Sequence, residues 1–464
     1  MPLPPPQGRQ REVVYLPAAG NSVVLGTAGS GKTLMAIWRA AHLGDPQAPE
    51  SGATLLVTFN TTLVTYLKHL RPPGMANITV ETYHKFGRGY LASQGVNMDN
   101  AIINGNTRRR LIGEAVNDLV VADGRQRVFE RPLRFLESEI EWIEANGLAT
   151  VDEYVAAERT GRSAHRLLRR DREPLFLLLE QYRRRRSDSG KLFDWDDLAS
   201  AVRVSLAADG NDRRYRHIVI DEGQDFSPEM LRSLSAAVPA NGSVTWFGDY
   251  AQQIYGQRMS WRQAGIEDPG IWRFQENYRN SRQIARLALR IAGMPYFSEV
   301  TDLVEPSAPV AEGPSPVIRQ FPSEDDELAF VARLAEREAR TKAVAVLLRD
   351  RELERRFARL LTISATRLHR NMRVWSSGPG LHHGTYHSAK GLEFDMVILP
   401  FLSRDRLPMA DDVAAFGRGG AMAFDGKLLY VGVTRARSEL VLTYSGDVTD
   451  LLVDGDGAII VEKA

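Results

Sequence analysis

Short apolar runs alternate with stretches of helical spacing along the first ninety residues. Val23-Val24-Leu25, Thr54 to Phe59 and Ile78 to Thr82 read as buried strands, and Leu34 to His42 and Leu63 to Leu70 as the helices between them. That alternation predicts a parallel sheet with helices on its faces. From about Leu91 to Lys191 strand signals fade and charged, helix-forming sequence takes over. Pro174 to Tyr182 carries apolar residues at helical spacing and runs into the arginines Arg183 to Arg186, so this stretch is expected to be a helical insertion. Strand patterns return at His217 to Ile220 and Ser243 to Phe247. A second α/β block is expected from near Ile271, with strands at Val317 to Phe321, Ala343 to Leu348, Met396 to Pro400 and Leu440 to Tyr444, and helices such as Glu324 to Ala339. The proline-rich segment 302–316 reads as a surface connection.

Composition narrows the class. A chain of 464 residues, 43% hydrophobic and 25% charged, is ordinary globular material, long enough for two to four domains at roughly 150 residues each. There are no cysteines, which removes disulfides, thiolate metal sites and thiol catalysis. No apolar run reaches the roughly 18–20 residues that span a bilayer, and the N-terminus lacks the apolar core of a signal peptide, so a cytoplasmic location is expected. The net charge of +1 does not by itself call for a polyanionic partner. Local runs such as Arg108 to Arg110 and Arg183 to Arg186 suit either a phosphate track or a solvated helix face.

The chemistry concentrates at two places. Gly26-Thr-Ala-Gly29-Ser-Gly31-Lys32-Thr33 matches G-x-x-x-x-G-K-[ST] between a strand and a helix, the context of a phosphate-binding loop. The glycines Gly26, Gly29 and Gly31 let backbone N–H groups close around phosphate oxygens. Lys32 neutralises the outer phosphates and the Thr33 hydroxyl suits Mg²⁺. Downstream, the apolar strand Ile218-Val219-Ile220 ends in Asp221 and Glu222. Asp221 suits the metal and Glu222 the attacking water.

Asp221-Glu222-Gly223-Gln224 and what surrounds it resemble superfamily 1A helicases of the UvrD/Rep/PcrA type. Gln10 looks like the family's adenine-reading Q motif, Thr58-Phe59-Asn60 like motif Ia, and Thr82-Tyr83-His84 like its Thr-Phe-His segment. Gly248 to Gly256 looks like motif III, Asn277-Tyr278-Arg279 like motif IV, His387 to Phe394 like motif V, and Tyr430 to Arg437 like motif VI. The resemblance implies two RecA-like P-loop domains: residues 1–90 with 191–270, and residues 271–464, with 91–190 as the helical insertion called 1B. It implies ATP and Mg²⁺ as cofactors. Gln252 then senses the γ-phosphate, Tyr278 stacks on adenine, Arg279 contacts the γ-phosphate, Arg435 is the arginine finger and Glu393 holds the ribose. Phe59, Asn60, His84, Tyr255, Arg258 and His387 fall where the family contacts single-stranded nucleic acid.

The sequence departs from the family at three places. Gln257 stands where close relatives carry a base-stacking tryptophan, for which Trp261 is a candidate substitute. Too few residues separate Arg279 from His387 for the large 2B insertion, which is expected to be absent or vestigial. The chain closes soon after motif VI, with no room expected for a nuclease domain. The expected function is an ATP-dependent, 3′ to 5′ translocase or helicase on single-stranded DNA, with RNA left open, in DNA repair or phage defence. The alternative is a nucleic-acid-responsive ATPase switch or remodelling subunit, for example of an antiphage defence complex, working with a nuclease or sensor partner.

Overall fold

A computed structural model describes residues 4–463 apart from 28, 71–76, 125, 160–161, 163–166, 250–260, 263, 275–279, 295–311, 370–371, 373–374, 376–377 and 453–458. The chain opens with helix α1 (Arg9–Val14), strand β1 (Ser22–Gly26), α2 (Lys32–Gly44), β2 (Thr54–Thr58), α3 (Thr61–Leu70) and β3 (Ile78–Thr82). Six helices follow: α4 (Tyr83–Ser93), α5 (Gly105–Asp123), α6 (Leu133–Ala145), α7 (Val151–Ala156), α8 (Arg172–Asp188) and α9 (Leu198–Ala208). Then come β4 (His217–Ile220), α10 (Pro228–Ala236), β5 (Ser243–Gly248) and β6 (Gly270–Phe274). These strands form one six-stranded sheet in the order β3-β2-β4-β5-β1-β6, parallel throughout.

The second half runs α11 (Arg282–Ala292), β7 (Val317–Phe321), α12 (Glu324–Glu338), β8 (Ala343–Leu348), α13 (Arg351–Leu360), β9 (Thr366–Arg367), β10 (Gly380–Thr385), β11 (Phe394–Leu399), α14 (Ala410–Val433), β12 (Ala436–Ser445) and β13 (Ile460–Lys463). Its seven strands, in the order β13-β7-β12-β11-β8-β10-β9, are also all parallel. The chain therefore holds two parallel α/β sheets, as its alternating pattern implied.

The expected boundary at residue 271 falls inside β6, which pairs with β1 from Ser22↔Gly270 to Gly26↔Phe274. The first sheet thus runs on to Phe274. An edge strand with one covered side has a weak apolar signature, and Ile271 is exposed, so the sequence did not show which sheet would claim it.

Apolar side chains fill both faces of each sheet. Val24, Leu56, Val219 and Phe247 pack under α2 and α3, while Leu55, Val57, Ile218 and Trp246 pack under α4, α9 and α10. The helices α5, α6, α7 and α8 bury a separate core around Phe135, Ile140, Trp142 and Tyr182. Their starts are set by local chemistry: the Asn104 side chain accepts from Thr107 N at α5, and Thr150 and Glu153 form a reciprocal capping box at α7. Among the described residues no helix is long and apolar enough to cross a membrane.

Candidate nucleotide site and nucleic-acid groove

The loop after β1 turns through Gly29 and Gly31, at φ 83° and 82°, a region costly for side chains with a Cβ. A Cβ on Gly26 would stand 2.5 Å from Ser30 Oγ, and one on Gly31 2.8 Å from Gln10 Nε2. Both positions therefore require glycine for close approach. Lys32 opens α2 almost fully buried, and its Nζ donates to the carbonyls of Gly26 (3.0 Å) and Thr27 (2.6 Å) and lies 4.0 Å from Asp249. Gln10, buried on α1, donates to Ser30 O at 3.3 Å, which seats the Q-motif side chain on the loop. Arg39, fully buried on α2, donates to the carbonyls of Val14, Leu16 and Pro17 and so ties down the end of α1.

Asp221 and Glu222 leave the end of β4 beside this loop. Glu222 is held at φ 53°, ψ 40°, a left-handed conformation unusual for a non-glycine residue and typical of strain kept at working sites. Gly223 makes that turn feasible, because a Cβ there would stand 2.1 Å from the Trp246 indole nitrogen. Burial and the neighbouring Glu222 charge push the Asp221 carboxyl up, against a hydrogen bond from Thr33 and the charge of Lys32. Burial alone would raise Glu222 too, but Lys390, Arg435 and Lys32, with the Gln224 amide, hold it below the ordinary carboxylate range. Glu222 is thus kept ionised, as a general base must be.

Buried polar atoms test the fit to a nucleotide and its cation. Among the described residues, Asp221 Oδ2 and Thr27 Oγ1 are buried with no hydrogen-bond partner. A carboxylate oxygen without a partner beside the Thr33 hydroxyl offers the oxygen ligands a divalent cation takes, and Lys32 suits the phosphate that cation would accompany.

Motif II also reaches into the second domain. Gln224 donates to Glu222 and accepts from Asp249 N at 2.9 Å, joining motifs II and III. Asp225 pairs with Lys390 of motif V at 2.5 Å, both side chains 2% exposed. Burial raises the Asp225 carboxyl to about 6, against the pull of Lys390. Arg435 is fully buried and donates to Val431 O (3.0 Å), Leu392 O (3.3 Å) and Thr434 Oγ1 (3.1 Å), close enough to Glu222 and Asp225 to lower both. Glu393 accepts from Arg437 at 3.1 Å.

A groove of about 1410 Å³ runs between the two α/β domains. Phe59, His84 and Trp195 form one wall, Arg367, His369 and His387 the other, and Asp225 and Lys390 also line it. Thr82 caps α4 by accepting from Lys85 N, which places His84 in the first helical turn. The His84 ring sits edge-on to Phe59 (5.3 Å) and to Trp195 (4.9 Å). Burial lowers His84 to about 4; burial, with Arg349 and Lys390 nearby, lowers His387 to about 3. Both rings are therefore neutral at pH 7, suited to stacking and hydrogen bonding rather than to phosphate charge.

Several expected residues stand differently. Asn60 lines the groove, but its amide donates across the domains to the carbonyls of His387 (3.4 Å) and Lys390 (3.1 Å). Trp261 packs edge-on against Trp246 at 4.9 Å within the first domain's core, so it is no substitute stacking platform. Six of the seven arginines in the two runs are paired: Arg108 with Asp194 and Asp196, Arg109 with Glu137, Arg110 with Glu114, Arg183 with Glu144, Arg185 with Glu114 and Asp118, and Arg186 with Asp197, while Arg184 is exposed. That favours a salt-bridged helical block over a phosphate track. Gln252, Tyr255, Gln257, Arg258, Tyr278 and Arg279 lie outside the described residues. The sequence reading assigned no role to Trp195, Gln224, Asp225, Lys390 or Arg39. The acid one residue beyond Gln224 and the lysine inside motif V were visible signals for two of them. Nothing local marks Trp195 or Arg39.

The family model described as the UvrD/REP helicase N-terminal domain matches residues 7–278. The UvrD-like helicase C-terminal domain matches residues 381–447. The chain is similar to the ATP-dependent DNA helicase UvrD2 of Mycobacterium tuberculosis (strain ATCC 25618 / H37Rv), 25% identical over 560 aligned positions that take in 94% of this chain and 78% of that protein. It is also similar to DNA helicase II of Haemophilus influenzae, 24% identical over 307 positions, 60% of this chain and 39% of that one. With the first family model covering more than half of the chain and the second spanning motifs V and VI, the protein belongs to the UvrD/REP helicase family.

Proposed function

We propose that this protein is an ATP-dependent motor that moves 3′ to 5′ along single-stranded DNA. The observation that carries this reading is the Asp225–Lys390 ion pair, which joins motif II to motif V and lines the groove, with Lys390 also lowering Glu222. Nucleotide chemistry and strand contact thereby share one set of buried charges. Lys32 and the backbone of residues 26–33 hold the β and γ phosphates. Thr33 and Asp221 would hold Mg²⁺, which would supply charge neutralisation at the phosphates. Glu222 orients and deprotonates the attacking water, and Gln10 reads the adenine edge. Arg435 would stabilise the charge that develops on the transferring group, the role the family resemblance also gives to Gln252 and Arg279.

When the domains part, Lys390 and Arg435 withdraw from Glu222, and the nucleotide site loses two of the cations that face it when the domains meet. Hydrolysis is thereby restricted to the closed arrangement, as a stepping motor requires. Phe59, His84 and Trp195 offer sequence-neutral faces for bases on one wall, and His387 stands opposite. We further propose that residues 91–190 serve as 1B, that the 2B insertion is missing, and that unwinding of duplex therefore depends on a partner.

Steady-state ATP hydrolysis with no nucleic acid, single-stranded DNA, duplex DNA or single-stranded RNA tests the reading, with Lys32→Ala as the blank. Strong stimulation by single-stranded DNA is expected. Hydrolysis indifferent to nucleic acid would overturn the motor and leave a nucleotide switch.

A further inference from the structure

Helix α14 serves two masters. Before Gly417 its side chains Ala415 and Phe416 pack in the core of the helical block, beside α6. After Gly417 its residues Met422, Leu428, Leu429, Val431 and Val433 pack in the second domain's core. Gly417 itself is non-helical, at φ 72° and ψ 164°, and a Cβ there would meet nothing within 4 Å. The arm 410–416 is therefore joined to the rest of α14 through a backbone conformation that suits glycine and not a helix.

One carboxylate spans the same junction. Asp412 is 1% exposed. It pairs with Arg134 of α6 in the helical block and, at 3.0 Å, with Arg349, the residue that follows β8 in the second domain. Arg349 also donates to Asp425 at 2.5 Å and lies 5.3 Å over the Phe424 ring. Phe424 in turn stands 6.3 Å from the His387 ring in the groove. A buried carboxylate between two guanidinium groups holds both; without its charge they repel in a medium of low dielectric. Further along, α14 ends in the turn that carries Thr434 and Arg435.

We infer that Asp412 is a positioning residue: it tethers the helical block to the second domain, and through Arg349 and Phe424 sets where His387 stands in the groove. The inference rests on the motor reading for its consequence, but the tether itself does not. The block's position is read by the second domain through a charge, and Gly417 lets the arm follow the block without bending the helix that carries Arg435.

The absence of cysteine makes the test clean. Dyes are placed through Val121→Cys on α5 and Leu360→Cys on α13, sites 87% and 46% exposed. Their separation is measured by energy transfer with no nucleotide or nucleic acid present. Asp412→Asn and Arg134→Met should each lengthen or broaden it, and Arg134→Lys should restore it. In both loosened variants the single-strand concentration giving half-maximal stimulation should rise about 2- to 30-fold, the range of such couplings. Hydrolysis without nucleic acid should stay within about twofold, since neither residue touches the nucleotide site. An unchanged separation in Arg134→Met, whose side chain lies at the rim and whose loss does not threaten folding, overturns the tether. A changed separation with unaltered half-maximal stimulation overturns the positioning of His387. A parent chain that nucleic acid does not stimulate refutes the motor reading instead, and the tether is then decided by the dye separation alone.

Discussion

At the scale of single residues, the nucleotide site depends on charges kept where water cannot screen them. Lys32→Ala removes the cation from the phosphate loop and should lower turnover by about 100-fold or more. Glu222→Gln should lower turnover by about 100- to 10,000-fold while ATP still binds. Steady-state hydrolysis and equilibrium nucleotide binding, measured together, separate the two effects; near-normal hydrolysis by either variant would remove the assignment. In the groove, Phe59→Ala and Trp195→Ala should each weaken single-strand binding by about 1–3 kcal/mol. Because burial keeps His84 and His387 neutral, at about 4 and about 3, His84→Gln and His387→Gln should leave the pH dependence of that affinity between 6 and 8 unchanged in a fluorescence titration. A pH dependence that either substitution removes would mean that the replaced ring carries charge when bound.

At the scale of elements, α13 packs on β10 through Leu353 and Phe357 and is also tied to β9 and β10 by the acid Glu354. Glu354 accepts from both Arg367 nitrogens at 2.5 Å and pairs with His383 at 3.1 Å. Burial alone would raise its carboxyl, but hydrogen bonds from His383 and Arg367, and their charges, hold it at about 2. A carboxyl lowered on folding contributes stability that is fully present above its unfolded value near 4.5 and is lost as pH falls toward 2. The stability gap between the natural protein and Glu354→Gln should therefore shrink across that window in denaturant titrations. A gap constant with pH would show that Glu354 acts by packing alone.

At the scale of the whole molecule, the two domains meet through buried polar contacts. Lys390→Met leaves Asp225 buried without its partner, at a cost of about 3–5 kcal/mol to the closed arrangement. Stimulation of hydrolysis by single-stranded DNA should fall, and Asp225→Asn added to Lys390→Met should recover part of it. A double variant no better than the single would place the effect in Lys390 alone. The Asp225–Lys390 pair lines the groove between the two α/β domains, and the Asp412 tether adds a charged link between the helical block and the second domain.

Periodicity and motif spacing by themselves determined much of this protein. The strands at Ile78 to Thr82, His217 to Ile220, Val317 to Phe321 and Ala343 to Leu348 have the expected bounds; Ala343 to Leu348 is a continuous apolar run, whereas Ile78 to Thr82 alternates buried and half-buried positions. The phosphate loop was legible because its glycines, Lys32 and Thr33 are neighbours in the chain. What only the tertiary structure decided involves partners far apart in sequence. The claim of the first sheet on β6, the place of Trp195 beside His84, the pairing of Asp225 with Lys390, and the neutralised arginine runs all depend on contacts that no local pattern encodes. Spacing reports which face of an element is apolar. It does not report which distant charge will be buried against it.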